Sequence, residues 1–200
     1  MLHTPGMPIL LASGSPQRRA ILTQLAIPYR VVVPDVEERD MGDPNELALE
    51  NARRKADAVT DQATPGELVL ACDTVVDVDG IPFGKPSNAE EAFTMLALLR
   101  GRTHDVVGGF VVVHPESGTR VERAVRTKVR FRQFPDELLQ RYLAGEEWRE
   151  RAGGYAIQGT GAAMVSGIGG CYQNVVGLPV STLLGVLEET DDWDTLAREV

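Results

Sequence analysis

The stretch PILLASGSPQRR, residues 8–19, joins a short apolar run to a hydroxyl-rich turn and the start of a helix. The run at residues 8–11 is typical of a buried strand. Ser15 fits the N-cap position, because its side-chain oxygen can accept a hydrogen bond from a free helix N–H, and Pro16 fits the first helical position. Free N–H groups, hydroxyls and the guanidinium of Arg18 favour a bound anion, above all a phosphate. The alternative is a capped surface helix with solvated arginines.

Outward from this stretch, predicted helices and strands alternate, which indicates an α/β fold. Turn signals at Asp79-Gly80 and over 115–118 predict hairpins, so the sheet is expected to be mixed rather than purely parallel. We predict helices over 16–25, from Pro44 to about Asp61, from Ser87 to Arg100, over 135–143 and over 180–189, and strands over 29–33, 68–71, 105–113 and 122–131.

Three further patterns complete the predicted layout. Asp43 is the expected N-cap of the second helix, and Ser87 to Glu90 reads as a capping box for the third. Residues 153–177 are rich in glycine and predict a long loop, a kind of segment that is often functional. The tail that contains Trp193 is predicted to form a peripheral helix.

Composition excludes several classes of protein. The chain has 200 residues and a net charge of −9, which argues against a protein that coats a nucleic-acid backbone. No apolar run reaches the roughly 18 residues needed to span a bilayer, so we expect no membrane segment. The two cysteines, Cys72 and Cys171, lie far apart in the sequence, which fits a reducing cytoplasm better than a disulfide scaffold. Cys72 lies in an apolar run and is expected to be a core residue.

Two acidic positions are candidates for chemistry. Asp73 comes shortly after the apolar run 68–71, at the predicted carboxyl end of a strand, where open α/β sheets place ligands. Glu37 and Glu38 follow another strand and could supply a second carboxylate. Carboxylates that approach a polyphosphate would repel it unless a divalent ion such as Mg²⁺ or Mn²⁺ lies between them. The alternatives are that Asp73 only caps a turn and that the glutamates form a solvated pair.

Cations and amides supply the second set of candidates. Lys55 lies beside the apolar stripe of the second helix, and Pro86 restricts Lys85 to an extended backbone that directs its amine. Either lysine could bind phosphate, or could only solvate the surface. Gln158 carries both a donor and an acceptor, which suits a nucleobase edge or a buried backbone group. His104 is expected to be a packed histidine rather than a base.

Seven motifs, taken together in order, resemble one family. They are LASGSPQR at 11–18, the helix 52–59 with Lys55, ACDTVV at 71–76, GKP at 84–86, GRTHDV at 101–106, AGGYAIQG at 152–159 and NVVGLP at 174–179. They resemble the Maf family of nucleotide pyrophosphatases, once described as septum-formation inhibitors, from residue 10 to about residue 187. The resemblance implies one domain over residues 1–200 with its core at about 8–190. Its fold would be an elongated mixed β-sheet flanked by helices, in two lobes around a deep cleft, as in Maf- and Ham1-type (ITPase-like) proteins.

The same resemblance implies the activity. A Maf-type enzyme hydrolyses the bond between the α- and β-phosphates of a nucleoside triphosphate, with a divalent cation (Mg²⁺ or Mn²⁺), often as a homodimer. Asp73 matches the proton acceptor that activates water, and Glu38 matches a metal-supporting carboxylate, so both are the expected metal ligands. Residues that match the polar and cationic phosphate site are Ser13, Ser15, Arg18, Lys55 and Lys85, and residues that match base-selecting positions are Thr74 and Gln158.

Gln17 departs from the family pattern and leaves the preferred base open. The branch that acts on dTTP and UTP usually carries arginine after Ser15-Pro16, and the branch that acts on 7-methyl-GTP carries tryptophan. Thr74 and Gln158 favour the pyrimidine branch. The function predicted from the sequence is therefore removal of surplus or modified nucleotides, with dTTP and UTP as one option. The alternative is a regulator of cell division that binds nucleotides without hydrolysing them.

Overall fold

The structure is a computed structural model that describes residues 7–190. The strands are β1 (Ile9–Ala12), β2 (Tyr29–Val32), β3 (Leu68–Val78), β4 (Ile81–Phe83), β5 (Thr103–His114), β6 (Thr119–Phe131) and β7 (Val165–Gly169). The helices are α1 (Pro16–Gln24), α2 (Pro44–Asp57), α3 (Ala89–Leu99), α4 (Asp136–Ala144), α5 (Tyr172–Val176) and α6 (Val180–Thr190). None of these helices is long and apolar enough to cross a membrane.

All seven strands form one mixed sheet in the order β2-β1-β3-β5-β6-β7, with β4 paired to β3. β1 is parallel to β2 and β3, and the remaining pairs are antiparallel. Helices cover the sheet, so the predicted mixed α/β class is confirmed.

The pairing of β3 leaves a gap that positions the site. β5 occupies one edge of β3 from Val69 to Asp77. On the other edge, β1 pairs only with residues 68–70 and β4 only with residues 76–78. Residues 71–75 therefore have an open edge, and Asp73 and Thr74 lie there. The prediction that these two residues follow the end of the strand is wrong, because β3 continues to Val78 through the β-branched run Thr74-Val75-Val76.

Two of the apolar clusters of the described residues lie toward opposite ends of β3, which fits the predicted two-lobed arrangement. One cluster joins α1 and α6 to β1 and β3, with Leu22 and Leu183 among its members. Another joins α3 and α4 to the far ends of β3, β5 and β6, with Leu96 and Leu139 among its members. The cleft described below lies at the open edge of β3, between these two regions.

α2 packs on the opposite face of the sheet and approaches it closely. A Cβ atom at Gly109 would lie 1.9 Å from the carbonyl oxygen of Ala48, so this crossing requires glycine. Gly109 is the cross-strand partner of Asp73. The close contact therefore sets the polar residues of α2 against Asp73.

Several local predictions are confirmed and others need correction. Ser15 caps α1 by accepting from the Arg18 N–H, and Asp43 caps α2. The predicted capping box Ser87–Glu90 is wrong by one residue, because Asn88 is the N-cap and accepts from the Glu91 N–H. α2 ends at Asp57, before the predicted Asp61, and a 3-10 turn follows at Thr60–Gln62.

The glycine-rich segment 153–177 is also more ordered than a single loop. It contains β7, α5 and a 3-10 turn at Thr160–Met164. β7 pairs with the end of β6, which gives the segment a place in the sheet that its composition does not reveal. Trp193 and the predicted tail helix lie outside the described residues.

Candidate active site

The open edge of β3 borders a cleft of about 540 Å³. The turn before α1, the start of α1, the segment after β2, α2 and β3 all contribute to its wall. Nine of the residues singled out in the sequence line it, namely Ser13, Ser15, Gln17, Arg18, Glu38, Lys55, Asp73, Thr74 and Lys85.

Lys55 is the centre of a three-residue charged cluster. Its Nζ lies 2.6 Å from Asp73 Oδ1 and 2.6 Å from Glu38 Oε1. The side chains of Lys55 and Asp73 are only 8% and 11% exposed, whereas that of Glu38 is 41% exposed. Partial burial raises the pKa of the Glu38 carboxyl, but the Lys55 ammonium, with smaller contributions from Lys85 and Arg18, lowers it by more, so the net pKa is lowered. The cluster brings together two carboxylates that are far apart in the sequence.

Asn51 completes this cluster and was missed by the sequence analysis. Its side chain is buried, and Nδ2 donates to Asp73 Oδ2 at 3.1 Å. Asn51 lies four residues before Lys55, one helical turn away on the same face of α2. An amide within the otherwise apolar stripe of this helix was the signal that could have revealed it.

Arg18 organises the opposite wall of the cleft. Its buried guanidinium donates from Nη1 to Ser13 Oγ at 2.9 Å, from Nη2 to Thr74 Oγ1 at 3.3 Å and from Nε to the Gly177 carbonyl at 2.8 Å. Within residues 7–190 no carboxylate forms an ion pair with it. Its positive charge therefore remains available to the cleft, although three of its N–H groups bind protein oxygens. Arg18 also holds two of the predicted substrate-binding hydroxyls in place.

Lys85 lies at the rim of the cleft, where its ion pair is long and exposed. Its Nζ is 3.3 Å from Glu150 Oε2, and the two side chains are 51% and 81% exposed. Glu150 lies with Arg149 and Arg151 in a turn that also lines the cleft. No pattern in the sequence predicted a role in the site for this turn.

Gln158 does not line the main cleft. It is exposed in an adjoining recess of about 270 Å³ that also includes Gln17, Tyr155 and Val176. Gln17 lines both spaces, and its Oε1 accepts from Ser15 Oγ at 3.1 Å. The two amides therefore border the same recess.

Two other candidates lie outside the cleft wall. Glu37 contributes only its carbonyl, which accepts from Arg54 Nη1 at 3.4 Å. His104 is buried, with its Nε2 2.8 Å from Tyr155 Oη, and burial lowers its pKa to about 4. The expectation that His104 is a packed histidine is confirmed, as is the buried position of Cys72.

Comparison with known proteins identifies the family. The model of the Maf-like protein family matches residues 8–190. The chain belongs to the Maf-like family. The resemblance drawn from the seven motifs is thereby confirmed.

Curated relatives of this Maf-like protein match it over almost their whole length. A protein of Pyrococcus furiosus is 41% identical over 90% of this chain and 94% of its own length. A protein of Pyrococcus horikoshii is 42% identical over 89% and 94%, and one of Nitratidesulfovibrio vulgaris is 41% identical over 92% and 88%. All three are named dTTP/UTP pyrophosphatase. Among solved structures, the Staphylococcus aureus Ham1 protein matches with 18% identity and a TM-score of 0.43, covering 62% of this chain and 71% of that one.

The cluster around Lys55 fits a divalent ion in donor type. Glu38 and Asp73 offer carboxylate oxygens, which Mg²⁺ and Mn²⁺ prefer, and Mg²⁺ usually takes one or two carboxylates and completes its sphere with water and substrate phosphates. Within residues 7–190, no group of three or more His, Cys, Asp or Glu side chains could hold a metal by itself. An ion at Glu38 and Asp73 would therefore depend on substrate oxygens for further ligands, and would share both carboxylates with Lys55.

Proposed function

We propose that this Maf-like protein hydrolyses nucleoside triphosphates to the monophosphate and pyrophosphate. Support comes from the relatives named dTTP/UTP pyrophosphatase, which are about 40% identical over most of the chain. The observation that carries the proposal is the arrangement of Asp73, whose two oxygens are fixed by Lys55 and Asn51 beside a cleft that Arg18 and Lys85 line. A nucleotide pyrophosphatase needs this combination of a positioned carboxylate and nearby cations.

Asp73 is the proposed general base. Its oxygens offer about four acceptor sites, and the observed bonds to Lys55 and Asn51 leave room for a water molecule. In the proposed reaction Asp73 accepts a proton from this water as the water oxygen bonds to the α-phosphorus. The bond from the α-phosphorus to the bridging oxygen breaks, and pyrophosphate leaves with the electron pair.

Positive charges on the cleft wall stabilise the phosphates. The N-terminus of α1, Arg18 and Lys85 face the space where the triphosphate would lie, and charge neutralisation is the main work of catalysis in phosphoryl transfer. Glu38 and Asp73 would hold a Mg²⁺ or Mn²⁺ ion, which would supply further positive charge at the reacting phosphate. Lys55 holds the two carboxylates, although the sequence analysis assigned it to the phosphates themselves.

We propose pyrimidine nucleotides, dTTP and UTP, as the first substrates to test. The relatives' names support this choice, and the recess bordered by Gln17 and Gln158 offers amide donors and acceptors for a base edge. Because Gln17 stands where the pyrimidine branch carries arginine, modified nucleotides should also be tested as substrates. The homodimer remains a prediction from the family resemblance, and the cytoplasmic location remains a prediction from the cysteine content.

The test is pyrophosphate release from dTTP, UTP, CTP and methylated or otherwise modified nucleotides, with Mg²⁺, with Mn²⁺ and with a chelator. We expect one monophosphate per pyrophosphate, no inorganic phosphate, and loss of activity with the chelator. Full activity in the presence of the chelator would contradict the proposed requirement for a divalent metal ion. If folded protein releases pyrophosphate from none of these nucleotides, the enzyme proposal is wrong and a nucleotide-binding regulator becomes the better hypothesis.

A further inference from the structure

Asn51 is a buried polar residue whose side chain is fully satisfied by hydrogen bonds. Its Oδ1 accepts from the Arg39 backbone N–H at 2.8 Å, and its Nδ2 donates to the Arg39 carbonyl at 2.9 Å. The same Nδ2 donates its second hydrogen to Asp73 Oδ2 at 3.1 Å. Both hydrogens of the amide are used, and the carbonyl and carboxylate acceptors fix which end is nitrogen. Asn51 therefore joins the segment that carries Glu38 to the proposed base.

The segment over residues 33–42 has few other anchors. β2 ends at Val32, and within the described residues no backbone-to-backbone hydrogen bond holds residues 33–42 to the rest of the protein. Apart from Asn51, its polar contacts are the Arg54 bond to the Glu37 carbonyl and the ion pair of Glu38 with Lys55. The position of the Glu38 backbone consequently depends on the two bonds between Asn51 and the next residue, Arg39.

We propose that Asn51 is a positioning residue that fixes the carboxylates of Glu38 and Asp73 relative to each other around Lys55. This inference rests on the proposed function, because the carboxylate pair matters through the pyrophosphatase reaction. One side chain fixes the segment next to Glu38 and also one oxygen of Asp73, so the two carboxylates are held relative to each other before substrate arrives. Preorganised polar groups of this kind contribute to turnover more than to ground-state binding.

The test compares three variants of the full chain. Asn51→Leu has a similar volume and removes all three bonds. Asn51→Asp is nearly isosteric and keeps an acceptor for the Arg39 N–H, but it sets a carboxylate against Asp73 and the Arg39 carbonyl. Arg54→Ala is the matched control, since it loosens the same segment at Glu37 without touching Asp73.

Two readouts are needed, and one does not depend on activity. The first is kcat and KM for the best nucleotide, at the metal concentration that saturates the parent protein. The second is the rate of trypsin cleavage after Arg39, which is exposed and whose carbonyl is held by Asn51. Cleavage at the other sites of the chain serves as the internal standard for global unfolding.

We expect both Asn51 variants to lower kcat by roughly 10- to 100-fold, the effect of losing a hydrogen bond to a charged group, with KM within about threefold. Trypsin should cleave after Arg39 at least about tenfold faster, without a matching rise at other sites. Arg54→Ala should change kcat by less than about threefold.

Two kinetic results would overturn the inference while the parent protein is active. One is a kcat above half of the parent value in both Asn51 variants. The other is an equal loss in Arg54→Ala, because the effect would then not require the contact with Asp73. If the parent releases no pyrophosphate at all, the proposed function fails separately, and unchanged cleavage after Arg39 would overturn the inference by itself.

Discussion

Lys55 and Lys85 line the same cleft, but their surroundings differ in almost every respect. Lys55 is 8% exposed and lies 2.6 Å from an oxygen of each of two carboxylates. Lys85 is 51% exposed and lies 3.3 Å from a single glutamate, Glu150, that is itself 81% exposed. Burial makes an ion pair rigid and costly to break, whereas an exposed pair contributes little and exchanges readily with water.

The difference suggests two separate uses of a lysine in one site. The charge of Lys55 is neutralised by protein groups, so Lys55 holds in place the carboxylates that we propose to be catalytic. The charge of Lys85 is weakly engaged, so a phosphate can replace Glu150 as its partner. Substitutions on the two sides of the cleft should therefore change different measured quantities.

Removing the carboxylate charge of Asp73, which Lys55 holds in place, should have the largest effect on activity. Asp73→Asn is expected to lower kcat by about 10²- to 10⁴-fold, because the amide cannot accept the proton from water. The change is nearly isosteric but removes one partner of the buried ion pair with Lys55, so we expect some loss of stability, and folding at the assay temperature has to be checked. The measurement is pyrophosphate release together with a thermal melt. A folded variant with most of its activity left would remove Asp73 from the role of base.

Lys55→Met tests the buried lysine by removing its ion pairs with Asp73 and Glu38. Removing one partner of a buried ion pair leaves uncompensated charge, and we expect the free energy of unfolding to fall by about 3 kcal/mol. That value is at the low end for buried pairs because Glu38 is 41% exposed. Urea unfolding at neutral pH measures it, and kcat should fall in parallel. A loss below about 1 kcal/mol would mean that Lys55 is no more engaged than a surface lysine.

The sequence predicted most of the residues on both sides of the cleft, because strand ends, helix caps and lysines before proline have local signatures and the family resemblance added others, such as Ser13 and Thr74. It did not predict that Asp73 lies inside a strand, since a charged residue normally ends a buried run. Lys55 and Asn51 on α2 compensate the buried charge there, and these contacts depend on how α2 packs against the sheet.

Asn51 and the turn at residues 149–151 were missed for a related reason. The amide of Asn51 within an apolar stripe is a local signal, but its partner is evident only once α2 lies against Asp73, a contact that depends on Gly109 in a distant strand. The turn contains no motif, and only its proximity to Lys85 makes it part of the cleft. Contacts between elements that are distant in the sequence are what local patterns cannot supply.

Lys85→Met is the matched substitution at the rim. Loss of an exposed pair should lower the free energy of unfolding by less than about 1 kcal/mol. Loss of a charge-assisted bond to phosphate should raise KM by roughly 10-fold or more, with a smaller change in kcat. Steady-state kinetics and urea unfolding of the same preparation check both values. An unchanged KM would exclude Lys85 from substrate binding, and a large loss of stability would remove the contrast with Lys55.

The smallest expected effect concerns the pH dependence of stability on the Lys55 side. Burial raises the pKa of Glu38, but the positive charge of Lys55, with smaller contributions from Lys85 and Arg18, lowers it overall. A carboxyl whose pKa is lower in the folded protein stabilises the fold above its unfolded pKa, and that contribution disappears as the pH falls through the folded value. Glu38→Gln should therefore be less stable than the parent at neutral pH, and the difference should shrink below about pH 4.5.

The same measurement separates the two lysines when it is repeated in their variants. In the Lys55→Met background, the proteins with Glu38 and with Glu38→Gln should differ little in the pH dependence of their free energy of unfolding. The reason is that the main cause of the lowered Glu38 pKa has been removed. In the Lys85→Met background the difference should persist. Glu37→Gln is the control, since the Glu37 side chain does not line the cleft. This substitution should leave the pH dependence of stability at acid pH unchanged. If the two lysine backgrounds gave equal losses, Glu38 would respond to the general positive field of the cleft, and the special role of Lys55 would have to be abandoned.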